Sequence, residues 1–206
     1  MTAALKVVLI SALLAGCAPV TQKMSDADRK AVRVANINPN VTKPPEPYYL
    51  GPGGGIGLAF GALGAIVTEP GRAAGRSSLA EFLDRNGVSI ERIVLEELGA
   101  ALRASGKLQI ADRAEPGAAT ISIVIKLYGL SIPHGFSSNL VPVLQMECAM
   151  VDAGGKTVWS AGDRLLSLGN PVEARPAEEL RNDARAIENA LRAAARHIAG
   201  NIAKEL

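Results

Sequence analysis

The sequence predicts an α+β fold, a mainly antiparallel sheet covered by helices on one face, with a glycine-rich insertion after the first strand. Three observations carry that expectation. Ile121, Ile123, Ile125 and Leu127 alternate with Ser122, Val124, Lys126 and Tyr128, and Leu144, Met146, Cys148 and Met150 repeat the alternation, so two long strands are expected. Before them, Ile90, Ile93, Val94, Leu98, Ala101 and Leu102 recur at helical spacing; after them, Leu180, Ala184, Ile187, Leu191, Ala194, Ile198 and Ile202 form one apolar stripe. Helices on both sides of a strand cluster pack most simply on one face of the sheet. A chain of 206 residues suits one domain with a substantial core.

In chain order, the first block is a targeting signal. Lys6 provides a positive start, Val7 to Leu14 an apolar stretch, and Leu14-Ala15-Gly16-Cys17 a small-residue site. The apolar stretch is far shorter than the ~20 residues a bilayer span requires. Cysteine directly after Leu-Ala-Gly resembles the lipobox of bacterial lipoproteins. That resemblance implies residues 1–16 as a cleaved signal peptide and Cys17 as the acylated amino terminus and membrane anchor. With Ala18 rather than Asp after the cysteine, the resemblance further implies the outer membrane, facing the periplasm. Once Cys17 is acylated, Cys148 is the sole remaining thiol, and its place in the strand alternation makes it a core residue.

Residues 17–29 are polar and read as a tether, leaving 30–206 as the folded domain. Lys30 to Ile37 reads as a first strand ended by Asn38-Pro39-Asn40, and Lys43-Pro44-Pro45-Glu46-Pro47 must run extended. A Pro/Gly-rich insertion is expected over 42–77. Within it, Gly51 to Thr68 holds seven of the chain's 21 glycines. Gly57 and Gly61 form a G-x-x-x-G pair that permits close helix approach, so these two with Phe60 and Leu63 are candidates for membrane contact or self-association. The uncharged part, Ile56 to Val67, would make a helix of roughly 18 Å, short of the ~30 Å hydrocarbon core.

Leu79, Phe82 and Leu83 predict a short helix ended by Gly87, and Ser89 caps the next, which Gly106 stops. Leu108 to Ala111 is a short strand. Asp152-Ala153-Gly154-Gly155-Lys156 turns the chain into Thr157-Val158-Trp159-Ser160. The last helix begins near Pro176. The expected core contains Ile93, Leu98, Ile123, Ile125, Met146, Cys148, Ile187 and Leu191.

Aromatic residues make up 3% of the chain, and 22 basic residues are balanced by 20 acidic ones, which argues against nucleic acid as a partner. Gly55 and Gly57 start a dinucleotide fingerprint that fails at Phe60, and Gly155-Lys156-Thr157 lacks the glycine a phosphate loop needs, Met150 standing there. His134 and His197 are the only histidines, and neither lies in a ligand pattern, so no metal or cofactor is expected. Arg181, Arg185, Arg192 and Arg196 fall within about 60° on a helical wheel and form a candidate patch for anionic lipid or a partner. Glu178 and Glu188 share that surface and neutralise part of it.

Ala31 to Ile37, Gly106 to Asp112 and Val151 to Trp159 resemble the amino-terminal domain of TolB, the curli-secretion lipoprotein CsgG and the auxiliary lipoproteins of envelope lipid transporters. The Tyr49-Leu50-Gly51-Pro52-Gly53 segment is similar to one in uncharacterised bacterial lipoproteins. A chain that is anchored, apolar in one segment and poor in catalytic groups is expected to be a non-enzymatic envelope lipoprotein that binds a protein partner, self-associates or assembles into a complex. The alternative is a carrier, or an auxiliary component of an envelope transport or secretion system, with lipid in the groove between sheet and helices.

Overall fold

The computed structural model describes residues 21–51, 69–135 and 137–206. Cys17, Gly57, Phe60, Gly61 and Leu63 lie outside the described residues. Among the described residues, five helices and seven strands follow in the order α1 (Asp26–Ala31), β1 (Val34–Ile37), β2 (Tyr48–Leu50), α2 (Glu69–Arg85), α3 (Ile90–Ser105), β3 (Gln109–Ile110), β4 (Ala119–Ser131), β5 (Asn139–Val151), β6 (Thr157–Leu165), β7 (Arg175–Pro176), α4 (Ala177–Asn182) and α5 (Ala184–Glu205).

The sheet is mixed rather than simply antiparallel. Its path is β3-β1-β4-β5-β6, in which the three long strands β4, β5 and β6 run antiparallel in turn, and β7 pairs antiparallel with the start of β5. β1 pairs in parallel with both β3 and β4, and β2 lies parallel to the far end of β4. Between β1 and β3 the chain runs through α2 and α3, and a helical crossover is what allows two strands to return in the same direction. A hairpin joins β5 to β6 as expected: Gly155 adopts φ +84°, and the Asp152 carboxylate accepts from the Gly154 and Lys156 amides at 2.9 Å.

Four boundaries differ from the sequence expectation. The polar tether is partly folded: Gln22 exchanges backbone hydrogen bonds with Ser160, Met24 is buried, and Ser25 caps α1 by accepting from the Asp28 amide at 3.1 Å. The first strand accordingly starts at Val34, because α1 consumes Lys30 and Ala31. The region read as an insertion over 42–77 holds β2 and the start of α2. The final apolar stripe is not one helix, since Asp183 (φ −128°, ψ 105°) breaks it and then caps α5 by accepting from the Arg185 amide at 2.8 Å.

The helix ends between these points follow their sequence signals. Ser89 accepts from the Arg92 amide at 3.1 Å to start α3, Gly106 at φ 63° stops it, and Gly87 at φ 65° lies just past α2. All eight expected core residues are buried. α3 packs against α5, and α5 lies over β5 and β6, where Leu144, Met146, Cys148 and Met150 line the covered face. Burial and the neighbouring Glu147 carboxylate push the Cys148 thiol up to about 12, so it stays protonated and inert in the core.

β4 changes face midway. Ile125 pairs with Met146 but Leu127 pairs with Gln145, so Lys126 is an extra residue that bulges outward. Downstream the phase is inverted: Tyr128, expected opposite Ile125, is buried against the covered side with Leu130. Near the hairpin the other face stays half-exposed, with Ser122, Val124, Ala149 and Val151, and is crossed by a Lys126–Glu147 ion pair at 3.3 Å.

Candidate functional site

A cavity of about 790 Å³ opens where α2, α4 and the start of α5 meet the end of the sheet. Ser78, Leu79, Phe82 and Arg85 reach it from α2, where spacings of three and four place them along one side of the helix, and Asn86 from the turn that follows. Leu180 and Arg181 come from α4, Ile187 from α5, Leu130 from β4, Leu140 from β5 and Tyr49 from β2. Its floor is apolar and closed, since Leu79, Leu130, Leu140, Leu180 and Ile187 are all buried. At this size it falls within the range of small-molecule pockets, about 300–1,000 Å³.

Close backbone approach holds one wall in place. A Cβ on Gly51 would lie 2.8 Å from both Leu140 Cδ2 and Tyr49 Oη, so glycine leaves room for these two side chains where they border the cavity. Gly129, at φ +145°, lets β2 lie against β4, because a Cβ there would overlap the Tyr48 carbonyl oxygen at 1.9 Å. β2 in turn carries Tyr49.

The rim is cationic. Arg85 donates from Nε to the Glu81 carbonyl at 3.2 Å, which leaves the rest of its guanidinium exposed. Arg181 is likewise exposed at the margin, and neither arginine has a carboxylate partner among the described residues. Burial pushes the Tyr49 phenol up and the Arg181 charge beside it pulls the other way; the net shift is upward, so the hydroxyl remains a hydrogen-bond donor at neutral pH. Among the described residues, no histidine, cysteine or carboxylate lines the cavity. The arrangement is suited to hold an apolar chain with an anionic end.

Of the four arginines expected to form one patch, the break at Asp183 sets Arg181 on α4 apart from Arg185, Arg192 and Arg196 on α5. Arg192 donates to Glu96 at 2.7 Å, Glu97 at 3.1 Å and Glu188 at 3.2 Å, and Arg196 donates to Glu97 at 2.9 and 3.2 Å. These two are spent on the α3–α5 seam. Burial pushes the Glu97 carboxyl up, but the hydrogen bonds from Arg196 and Arg192 outweigh it and hold it below the ordinary value. Arg185 stays exposed at the start of α5. Only Arg181 borders the cavity, and its companion is Arg85, which the linear sequence gives no reason to join to it.

His134 sits exposed in the turn after β4, and His197 lies on α5 with Nε2 3.3 Å from the Asn201 amide nitrogen. Among the described residues no group of three or more His, Cys, Asp or Glu side chains is placed to hold a metal ion. A second polar cluster has no sequence signature: Lys43 Nζ lies 3.3 Å from Glu91 Oε1, 3.5 Å from Tyr128 Oη and 5.4 Å from that ring's centre. Burial lowers the Lys43 pKa, but its Tyr128 and Glu91 neighbours outweigh this and leave it raised. The cluster fastens the proline-rich segment to the start of α3.

Among the described residues, no helix is long and apolar enough to cross a membrane. No protein-family model matches the sequence, and no curated protein matches it. Solved structures with a similar course include protein XCC0632 from Xanthomonas campestris, a DUF330 protein, at 12% identity and TM-score 0.43, covering 90% of each chain. The PelC dodecamer from Paraburkholderia phytofirmans overlaps at 15% identity and TM-score 0.41, over 92% of this chain and 98% of that one. A minor lipoprotein from Acinetobacter baumannii overlaps at 13% identity and TM-score 0.30, over 55% of this chain and 84% of the other. Identities and TM-scores this low assign the chain neither a family nor a function.

Proposed function

We propose that this protein is an envelope lipoprotein, anchored through Cys17 in the outer membrane and facing the periplasm, that acts by binding one acyl lipid with an anionic head. The observation that carries this reading is the cavity between α2, α4, α5 and the sheet, with buried leucines and an isoleucine as its floor and Arg85 and Arg181 at its rim. Burying a methylene group is worth about 0.8 kcal/mol, and hydrogen bonds to a charged group about 1.5–3 kcal/mol each. A chain in the floor with its acid on the two guanidinium groups draws on both. The cavity's lining supports a binding role rather than acid–base or nucleophilic chemistry.

This reading takes up the carrier alternative in preference to assembly with a protein partner. Near the hairpin, the half-exposed sheet face carries Ser122, Val124, Ala149 and Val151 and is crossed by the Lys126–Glu147 ion pair, whereas the cavity joins an apolar floor to two exposed arginines. Organic extraction of the purified Cys17→Ser chain, followed by mass spectrometry, tests the proposal. An acyl lipid recovered at close to one per chain supports it; a chain that carries none and takes up none from mixed micelles contradicts it.

A further inference from the structure

Leu166, Leu168 and Tyr48 are the large apolar side chains left exposed among the described residues, at 42%, 88% and 37%. All three lie toward one end of the sheet. Leu166 and Leu168 follow the last residue of β6, and Tyr48 pairs with Gly129, two residues from the end of β4. Single exposed leucines are ordinary on protein surfaces. Here two share a short loop that is held rigid. Asn170 donates from Nδ2 to the carbonyls of Pro142 (2.7 Å) and Leu166 (2.9 Å) and accepts from the Val172 amide at 2.9 Å, while Gly169 turns the chain at φ +71°. The loop is therefore ordered with Leu168 projecting, an arrangement that costs little further entropy on contact.

The amino-terminal chain approaches from the same end. Gln22 pairs antiparallel with Ser160, so at Gln22 the chain enters from the Leu165 side of β6. Gln22 lies five positions after Cys17, and Leu165 five positions after Ser160. Either stretch spans about 17 Å at most. An anchor at Cys17 can thus reach about as far as the end of β6, which draws the bilayer surface to the Leu166–Leu168 loop.

We infer that this end of the molecule rests on the membrane, with Leu166 and Leu168 inserted at the lipid headgroup boundary. The inference rests on the proposed anchoring at Cys17. Tyr48 suits the same level, since an amphipathic ring is at home at a membrane interface. Exposed Arg164, the penultimate residue of β6, is placed to meet lipid phosphates. The cavity's residues Tyr49, Leu130 and Leu140 belong to this end too, so it lies close to its lipid source.

The test uses the full acylated chain in vesicles of phosphatidylethanolamine and phosphatidylglycerol, labelled with an environment-sensitive fluorophore at Leu168→Cys or, at the opposite end of β6, at Gly154→Cys. Buried Cys148, with its raised thiol pKa, does not compete for label. The inference expects emission from position 168 to shift to the blue and to be quenched by doxyl lipids, and emission from position 154 to do neither. Vesicle-bound protein with both labels in water overturns the inference while leaving the anchor intact. A chain that carries no acyl group and stays off the vesicles removes the anchor, and the inference falls with it.

Discussion

Glu97 shows how a single residue can serve two elements. Its carboxylate is 8% exposed, accepts from both Arg192 and Arg196, and so fastens α5 to α3. Removing it leaves two guanidinium groups short of their acceptor, and Glu97→Gln is expected to cost about 1–3 kcal/mol. The sign of its pH dependence follows from the lowered pKa in the folded state. The stabilisation is complete above the ordinary glutamate value and fades as acid takes the pH down through the lowered folded value. Urea midpoints of wild type and Glu97→Gln should therefore differ most at neutral pH and converge in acid; equal midpoints at pH 7 would show that the seam does not depend on this charge. Gly129 is the second decisive residue. An alanine there would have to hold φ near +145° and overlap the Tyr48 carbonyl, so Gly129→Ala should lose more than the about 1–3 kcal/mol of backbone strain alone. Thermal unfolding measures the loss, and an unchanged midpoint would mean that β2 is not docked as described.

At the scale of elements, local signals were legible where the chemistry is local. Ser89 and Gly106 delimit α3 because a hydroxyl cap and a left-handed glycine act within one turn. The β5–β6 hairpin is legible in Asp152 to Lys156 for the same reason. Tertiary choices were hidden. Nothing in the alternation from Ile121 onward marks Lys126 as a bulge, because the extra residue is defined only against β5. The apolar stripe from Leu180 to Ile202 keeps its period across Asp183, although α4 and α5 are separate helices there. Its capping bond to the Arg185 amide makes a direct test: Asp183→Ala should cost about 0.5–2 kcal/mol, read from the chemical denaturation midpoint. No loss would indicate that α4 and α5 join into one helix without it. Ile187→Ala, in the cavity floor and the core, should cost more, about 2–5 kcal/mol.

For the whole molecule, the candidate site is a product of topology. Leu79 and Phe82 mark a helix by their spacing and Leu180 and Ile187 belong to the apolar stripe; Leu79, Leu180 and Ile187 are buried and Phe82 packs against the core. That they stop short of one another and leave a space of about 790 Å³ is decided by how α2 and α4 meet the sheet. Arg181 was named from its helix face, but the arginines grouped with it serve the α3–α5 seam or point to solvent, and Arg85 comes from a different helix. The account's central claim is that this cavity binds an acyl lipid through its apolar floor and its two rim arginines. Titration of the delipidated Cys17→Ser chain with a fluorescent long-chain fatty acid, alongside an Arg85→Gln/Arg181→Gln variant, measures it most directly. The account predicts saturable binding of one ligand per chain, weakened tenfold or more in the variant, since each lost charged hydrogen bond is worth about 1.5–3 kcal/mol and tenfold about 1.4 kcal/mol. No saturable binding, or equal affinity for a variant that folds as the parent does, would contradict it.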